Sequence, residues 1–271
     1  MKLLFIGDII GKPGRVMLTY HLPKIIKEHN IDFVIANGEN SAHGFGINYA
    51  TSKELFNAGV NLITGGNHSF DKQEIVALFK DKSPIIRPLN YPQGTPGEGV
   101  YITKHLDQSL AIVNLLGFYQ MGIVDNPFNT ITKEIQKLKS DGIQNIFIDF
   151  HAETTAEKNT LLAMLKGEVA FIAGTHTHIG TDDLVIQEGT GYVTDVGLTG
   201  CRDGVIGMAS QAPIYRATTG MRKSHQIPKQ CKKILQAIVC EINNGKCSES
   251  YKLKAYDFNE VIVSQKAYLE S

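Results

Sequence analysis

The sequence predicts an α/β fold in which two mixed β-sheets pack together, with helices flanking them on the outside. Apolar runs typical of buried strands alternate with helical segments through the first half of the chain, as expected for a parallel sheet covered by helices. Near the C-terminus, Asn243-Asn244-Gly245 gives a turn signal between two further strand segments, which is typical of a hairpin. The 271 residues contain no internal repeat and no long linker, so we expect one domain over residues 1–271.

The spacing of apolar residues defines each predicted element. In the first predicted helix, for example, Leu18, Leu22, Ile25 and Ile26 share one apolar stripe. The predicted strands cover residues 2–7, 32–36, 60–64, 99–103, 110–116, 145–150 and 168–174, with later strand segments at 232–242 and 261–263. The predicted helices cover residues 14–29, 51–58, 72–80, 130–140 and 154–166. Residues 84–99 are rich in Pro and Gly and predict a loop.

The composition is that of a globular protein without a bulk attraction for polyanions. Hydrophobic residues make up 42% and charged residues 20%, and 27 basic residues balance 27 acidic ones. This balance argues against a DNA-binding function and against strong association with RNA, whereas a small phosphorylated ligand remains compatible with metal ions at the site. No window approaches the roughly 18 apolar residues of a membrane-spanning helix, so no membrane association is expected.

The cysteines and the N-terminus together predict an intracellular protein. The four cysteines are Cys201, Cys231, Cys240 and Cys247, and none forms a C-x-x-C pair. The first apolar run ends at Gly7-Asp8, before a signal-peptide core is complete, and no clean cleavage site follows. We therefore expect a cytoplasmic protein whose thiols are reduced, with one disulfide pair as the less favoured alternative.

Residue types that bind metals follow five of the predicted strands. They are Asp8, Glu39, Asn67 with His68, His151, and the pair His176 and His178. The first three blocks are 31 and 28 residues apart, about one βα unit each, and consecutive parallel strands end at the same sheet edge. Carboxylate, amide and imidazole groups suit iron, manganese or zinc better than calcium. Two cations close together need a carboxylate between them, and Glu39 is the best bridging candidate.

Other catalytic motifs do not match. Residues 7–14 read G-x-x-x-G-x-x-G, which fits neither the dinucleotide fingerprint nor the Walker A loop, and no G-x-S-x-G elbow is present. Phe45, Tyr119 and Phe128 are candidates for stacking on a nucleotide base, although packing or rim roles suit each of them better.

The strand-end blocks resemble those of the calcineurin-like metallophosphoesterases, in which Asp, Asp, Asn-His, His and His-x-His blocks follow successive strands. Two details differ from the usual pattern, because Asp8-Ile9-Ile10 lacks the histidine of D-x-H and Glu39 stands where a bridging Asp is usual. In both of these details the chain resembles the bacterial YmdB-like subfamily. The blocks Asp125-Asn126-Pro127-Phe128 and Asp195-Val196-Gly197-Leu198-Thr199-Gly200 also resemble that subfamily.

The resemblance implies a metallophosphoesterase-type four-layer sandwich with two metal ions. One ion would be held by Asp8, Glu39, Asn40 and His178, and the other by Glu39, Asn67, His151 and His176. It further implies a di-iron centre, with manganese or zinc as alternatives, and phosphodiesterase activity on 2′,3′-cyclic nucleotides. A hydroxide bridging the metals would attack phosphorus in line, and His68 would be the proton donor.

Two other functions fit the same residues. One is a phosphomonoesterase or 5′-nucleotidase-type metallohydrolase, and the other is a regulatory protein that binds a nucleotide as a signal. The sequence leaves open the native metal, the base preference, and whether the chain forms a homo-oligomer.

Overall fold

The computed structural model describes residues 1–105 and 107–270 and contains two mixed β-sheets packed against each other, with helices on both outer faces. The strands are β1 (Lys2–Ile6), β2 (Phe33–Asn37), β3 (Leu62–Thr64), β4 (Ile85–Ile86), β5 (Val100–His105), β6 (Gln108–Leu116), β7 (Asn145–His151), β8 (Phe171–Thr175), β9 (Val185–Gln187), β10 (Thr190–Val193), β11 (Gly200–Cys201), β12 (Lys233–Asn243), β13 (Lys246–Tyr256), β14 (Ile262–Lys266) and β15 (Tyr268–Glu270). The helices are α1 (Gly11–His29), α2 (Tyr49–Ala58), α3 (Glu74–Lys80), α4 (Pro127–Ser140), α5 (Thr155–Leu165) and α6 (Gln211–Thr219). This arrangement confirms the predicted fold class.

The strand directions bring the ends of both sheets to one region. In the first sheet the order is β14-β13-β12-β1-β2-β3-β4, and β1 to β4 are parallel. In the second sheet the order is β15-β9-β10-β8-β7-β6-β5, and β6, β7, β8 and β10 are parallel. Loops that follow these two parallel sets therefore leave each sheet at its carboxyl edge, where ligands bind in α/β proteins.

Successive apolar side chains of a strand point to opposite faces of its sheet, and they pack in three layers: one between the sheets and one on each outer face. In β1, Leu3 and Phe5 face the space between the sheets, where the Phe5 ring lies 5.2 Å from that of Phe147. Leu4 points the other way and packs in the cluster that includes Met17 of α1. A third cluster lies between the second sheet and helices α4 and α5. Each fully buried side chain of this size contributes about 1.5–3 kcal/mol to folding.

The elements that the sequence analysis missed are short or irregular. Strand β4 lies inside the predicted loop 84–99, and β9, β10, β11, β15 and helix α6 had no counterpart among the predictions. The longer strand β13 was implied by the hairpin turn signal, but no range was predicted for it. Strands of two to four residues are too short for a periodic signal, and they form because a neighbouring strand supplies their hydrogen bonds.

The structure corrects the expectation that all four cysteines are reduced. Cys201 and Cys231 form a disulfide, with their Cα atoms 5.6 Å apart. The pair forms because β11 lies beside β12, where Cys201 stands opposite Lys233. The sequence separation of 30 residues gave no hint of this proximity. Cys240 and Cys247 are free and buried.

Among the described residues, none of the helices combines the length and the apolar character needed to cross a lipid bilayer.

Candidate metal centre

All seven residues that the sequence analysis proposed as metal ligands meet where the two sheets end. Asp8 follows β1, Glu39 and Asn40 follow β2, and Asn67 follows β3. The second sheet supplies the imidazoles, because His151 ends β7 while His176 and His178 follow β8. Asp8, Glu39 and His151 are fully buried. The parallel direction of β7 and β8 brings their ends to one edge of the second sheet. The contacts of His151 with Glu39 and Asn67 place that edge beside the ends of β2 and β3.

Four side chains bring atoms that can bind a metal close together, and they are here called the first donor group. They are Glu39, Asn67, His151 and His176. The Nε2 atom of His151 lies 3.0 Å from Oε1 of Glu39, 3.0 Å from Oδ1 of Asn67 and 3.1 Å from Nδ1 of His176. The atoms of Glu39, His151 and His176 are close enough to one another to share one ion. A Cβ added to Gly66 would lie 2.3 Å from Oε2 of Glu39, so this cradle tolerates no side chain at that position.

A second donor group, formed by Asp8, Asn40 and His178, lies beside the first. Nε2 of His178 is 3.6 Å from Oδ1 of Asp8 and 3.4 Å from Nδ2 of Asn40, and the Asn40 amide donates to Oε1 of Glu39 at 3.2 Å. Oδ1 of Asp8 is the buried side-chain oxygen that has no hydrogen-bond partner in the described part of the chain. A buried carboxylate oxygen is costly to leave unpaired, so its position fits a bound cation.

The hydrogen bonds around His151 orient its ring. Its Nδ1 lies 2.9 Å from Oγ1 of Thr175, and that hydroxyl donates to Oδ1 of Asp149 at 2.7 Å. With its proton given to the Asp149 carboxylate, the Thr175 oxygen accepts from Nδ1–H of His151. Nε2, at the centre of the first donor group, is then the nitrogen that would bind a metal once it has lost its own proton.

The other two imidazoles are held in the same way. Nε2 of His176 pairs with Oε2 of Glu153 at 2.8 Å, which leaves Nδ1 facing His151. Nδ1 of His178 donates to the carbonyl of Ile206 at 2.9 Å, which leaves Nε2 facing Asp8. Each histidine thus has one nitrogen bonded to an oxygen and the other directed into the cluster, as metal-ligating histidines do.

Burial and neighbouring charges shift the pKa values of the cluster in opposite directions. Burial lowers the pKa of His176 to about 3. Although burial opposes it, the carboxylate of Asp8 raises the pKa of His178 to about 9. Burial also raises the pKa of Asp149 to about 7. Because a metal ion needs neutral imidazole, a metal ion bound at the second donor group would displace a proton from His178 at neutral pH.

The loop that carries His176 and His178 has an unusual backbone that Asp195 holds in place. His176 has φ of 95° and His178 has φ of 67°, and residues other than Gly rarely adopt such positive φ angles. Between them, the amide and hydroxyl of Thr177 both donate to Oδ2 of Asp195, at 3.1 and 2.7 Å. Nζ of Lys158, which is also buried, donates to the same oxygen at 3.1 Å.

Replacing Lys158 with Met is expected to destabilise the protein by about 3–5 kcal/mol, because the buried carboxylate of Asp195 would lose its cation. Urea unfolding of the metal-free protein measures this loss. The matched control is Lys166→Met, which breaks the exposed pair between Lys166 and Glu188 and is expected to cost about 0–1 kcal/mol. Equal losses in the two variants would contradict the role of the buried pair.

His68 lies at the edge of the cluster, and its Nδ1 is already paired with Asp71. Its backbone amide donates to Oε2 of Glu39 at 2.9 Å, and its Nδ1 pairs with Oδ2 of Asp71 at 2.8 Å. The ring of Phe45 contacts that of His68 edge to face, with the centroids 4.8 Å apart. These contacts leave Nε2 of His68 available to a bound molecule.

For the cyclic-nucleotide activity that the sequence resemblance implies, replacing Asp71 with Asn is expected to lower kcat about fivefold with little change in KM, because His68 loses a half-exposed carboxylate partner. Steady-state kinetics measure the effect. A diester with a p-nitrophenolate leaving group needs no proton donor, so its hydrolysis should not change. A fivefold fall on that substrate as well would contradict an effect that acts through His68.

A cavity of about 660 Å³ opens beside the cluster and could hold a nucleotide. Its lining includes Glu39, His68 and His178 of the site region, together with Phe45, Arg216 and His225. Of the three aromatic residues proposed for stacking, Phe45 is in this wall, whereas Phe128 packs near Phe150.

The sequence analysis did not assign the residues that position the ligands. Asp149 interrupts an apolar run, which is a signal for a buried polar role, but its partners Thr64 and Thr175 come from other strands. The contacts of Glu153 and Lys158 likewise depend on the packing of α5 and the following loops.

Comparison with known proteins places the chain among relatives of similar length. A family model described as "YmdB-like protein" matches residues 4–253. The chain is 38% identical over 245 residues to a 2′,3′-cyclic-nucleotide 2′-phosphodiesterase of Bacillus subtilis, with 90% of this chain and 92% of the relative covered. It also resembles the crystal structure of a phosphatase from Mycoplasma pneumoniae, with a TM-score of 0.88, 32% identity, and 94% and 93% of the two chains covered. A protein of Thermus thermophilus described as hypothetical gives a TM-score of 0.89 at 35% identity, with 95% of this chain and 100% of that one covered.

Proposed function

The chain belongs to the YmdB-like protein family, and from this premise we propose that it hydrolyses 2′,3′-cyclic nucleotides at a centre for two metal ions. It is a phosphoric ester hydrolase, as the phosphodiesterase and phosphatase among its relatives indicate. The relation to Bacillus subtilis 2′,3′-cyclic-nucleotide 2′-phosphodiesterase supports the proposed substrate class, a small nucleotide. We also propose that residues 1–271 act as one domain, since both sheets contribute ligands to one centre.

The observation that carries the metal-dependent function is the convergence of three imidazole nitrogens on buried carboxylates. Nε2 of His151 lies 3.0 Å from Oε1 of Glu39, Nδ1 of His176 belongs to the same group, and Nε2 of His178 lies 3.6 Å from Oδ1 of Asp8. Asp8 and Glu39 are buried carboxylates, and cations held beside these imidazoles would offset their charge. Nitrogen and oxygen donors in this mixture fit iron, manganese or zinc.

We assign the donors to two ions by their grouping. Glu39, Asn67, His151 and His176 would hold one ion, and Asp8, Glu39, Asn40 and His178 the other. Asn40 would bind through Oδ1. This requires the amide oxygen and nitrogen of Asn40 to exchange places, so that the oxygen points into the site. The carboxylate of Glu39 contacts both groups, which supports its role as the bridge. When bound, the metals supply a nucleophile by lowering the pKa of water and offset charge on the phosphate oxygens.

The chain's own residues orient the substrate and deliver a proton. Nε2 of His68 would protonate the ribose oxygen that leaves phosphorus, and Asp71 holds the ring for this transfer. Glu39 fixes the position of His68 through its backbone amide. Phe45 lies against His68 in the cavity wall, where it limits the orientation of that ring. The product is a phosphomonoester on one ribose hydroxyl, with the other hydroxyl free.

The proposal is tested by assaying metal-loaded protein on three classes of ester. These are 2′,3′-cyclic nucleotides, linear dinucleotides, and 3′- and 5′-nucleoside monophosphates. We expect the highest kcat/KM on the cyclic diesters. Phosphomonoester hydrolysis is the second candidate, since the Mycoplasma pneumoniae relative is described as a phosphatase. Preference for a monophosphate would favour that function, and bound metal without turnover on any ester would favour a nucleotide-binding protein.

A further inference from the structure

Positive charge is concentrated in one stretch of this electrically neutral chain. Residues 204–233, here called the basic segment, contain no Asp or Glu, and their cations are Arg216, Arg222, Lys223, Lys229, Lys232 and Lys233. Because the whole chain has 27 basic and 27 acidic residues, the remainder carries a net charge of −6. The balanced total predicts little attraction for long polyanions, but it conceals this local excess.

The basic segment is built into the wall of the metal centre. The carbonyl of Ile206 accepts from His178, and Ile206 itself has φ of 45°, which is rare for a β-branched residue. Met208, Arg216 and His225 line the cavity beside the metal cluster. This part of the chain therefore lies within reach of a substrate whose phosphate is at the centre.

A second cavity lies on the other side of the same stretch of chain. Its volume is about 480 Å³, and its lining includes Lys223, Ser224, Gln226 and Lys229. His225 faces the metal-side cavity while its two neighbours line the second one. Residues 223–229 thus form a wall between the two cavities, and Lys223 and Lys229 line the second one.

Three cations at the surface of the basic segment have no carboxylate partner in the described part of the chain. Arg222, Lys223 and Lys229 are exposed, and within residues 1–105 and 107–270 no salt bridge includes them. Nζ of Lys223 lies 5.8 Å from the ring centre of Tyr215, an aromatic residue that is itself exposed. Unpaired cations beside exposed aromatic rings are typical of surfaces that bind single-stranded nucleic acid.

We propose that the basic segment binds the phosphates that precede a 2′,3′-cyclic phosphate terminus, so that the preferred substrates are the 3′ ends of short RNA chains. This inference rests on the proposed function and narrows its substrate class. A cyclic mononucleotide has one phosphate, which the metal centre takes, and it leaves these cations unused. In an RNA end, the terminal ribose continues through its 5′ oxygen to further phosphates that can reach them.

The chemistry is the same at an RNA end as in a mononucleotide. One water adds to phosphorus, one bond from phosphorus to a ribose oxygen breaks, and the freed oxygen takes a proton. The end becomes a phosphomonoester with one adjacent hydroxyl. Such cyclic ends are made by RNA cleavage in which a ribose 2′ hydroxyl attacks the neighbouring phosphorus, so a reaction of that class would supply the substrate.

The test compares two substrates and two triple variants of the metal-loaded protein. The substrates are 2′,3′-cyclic UMP and a pentauridylate that ends in a 2′,3′-cyclic phosphate. One variant combines Arg222→Gln, Lys223→Gln and Lys229→Gln. The control combines Lys27→Gln, Lys53→Gln and Lys133→Gln, three exposed lysines elsewhere on the surface. Fluorescence anisotropy with a labelled pentauridylate 3′-phosphate measures binding separately from turnover.

We expect the wild type and the control to prefer the pentauridylate at least tenfold in kcat/KM at low salt. The basic-segment variant should lose most of this preference and keep its activity on the mononucleotide. The slope of log affinity against log salt should fall by about 2 in that variant, as the loss of three single-strand phosphate contacts predicts.

Several results would overturn the inference. These are equal kcat/KM on the two substrates, a preference that the basic-segment variant retains, or an equal loss in the control. Anisotropy that shows no binding, or binding with the same salt slope in both variants, would mean that the segment serves another partner, such as an acidic protein surface. Failure of the proposed function would look different, because neither cyclic substrate would be hydrolysed although metal was bound.

Discussion

Replacing Glu39 with Gln is expected to remove at least one metal ion from the centre and to lower kcat/KM on a cyclic nucleotide by more than about 100-fold. Loss of partners outside the ligand sphere typically costs about 10- to 100-fold, and loss of a bridging ligand should exceed that range. A neutral amide cannot offset the repulsion between two cations, and Glu39 also anchors His68 and Asn40 through hydrogen bonds. Metal analysis of the purified variant, together with its kinetics at saturating metal, measures both effects.

The matched control for this change is Glu153→Gln. Glu153 pairs with the outer nitrogen of His176 and is 44% exposed, so its replacement should cost no more than about tenfold in metal affinity. Two bound metals and full turnover in the Glu39 variant would show that this carboxylate is not the bridge. A larger loss in the Glu153 variant than in the Glu39 variant would reverse the proposed order of importance.

Replacing His68 with Ala is expected to lower kcat on a 2′,3′-cyclic nucleotide by about 10²- to 10⁴-fold while two metals stay bound. This range is the usual contribution of a positioned general acid. Metal binding should persist because the His68 side chain is bonded to Asp71 and not to the donor atoms of the cluster. Kinetics and metal content are measured on the same preparation.

A change of leaving group separates proton donation from other roles of His68. A p-nitrophenyl phosphodiester releases an anion that needs no proton, so the His68 variant should hydrolyse it nearly as fast as the wild type does. Equal losses on both substrates would indicate that His68 binds or orients the phosphate. Loss of metal in this variant would instead make His68 a ligand or a support for one.

Strand-end residues could be predicted from the sequence because two simple regularities coincide there. Buried strands give continuous apolar runs, and parallel strands in a βα repeat end at one edge, so Asp8, Glu39 and Asn67 could be placed together from spacing alone. The same reasoning anticipated the main helices and the C-terminal hairpin, which forms as β12 and β13 around Asn244-Gly245.

The remaining features depend on contacts between distant parts of the chain. Helix α6 contains Pro213, Thr218 and Thr219, residues with weak helical preference, and the strands from β9 to β11 are too short to show alternation. The interaction of Lys158 with Asp195 joins residues 37 positions apart. The sequence shows the run of cations in the basic segment, but only the structure shows that those at positions 222, 223 and 229 are unpaired among the described residues and that the segment lies beside the metal-side cavity.

The most direct test of the central claim is an anomalous-diffraction map of the manganese-loaded protein, since manganese suits the same ligands as iron. The proposal predicts two peaks per chain about 3.5–4 Å apart, both within coordination distance of Glu39. One should lie among Asn67, His151 and His176, and the other among Asp8, Asn40 and His178. A single peak, or peaks away from Glu39, would contradict the two-metal centre proposed for this chain.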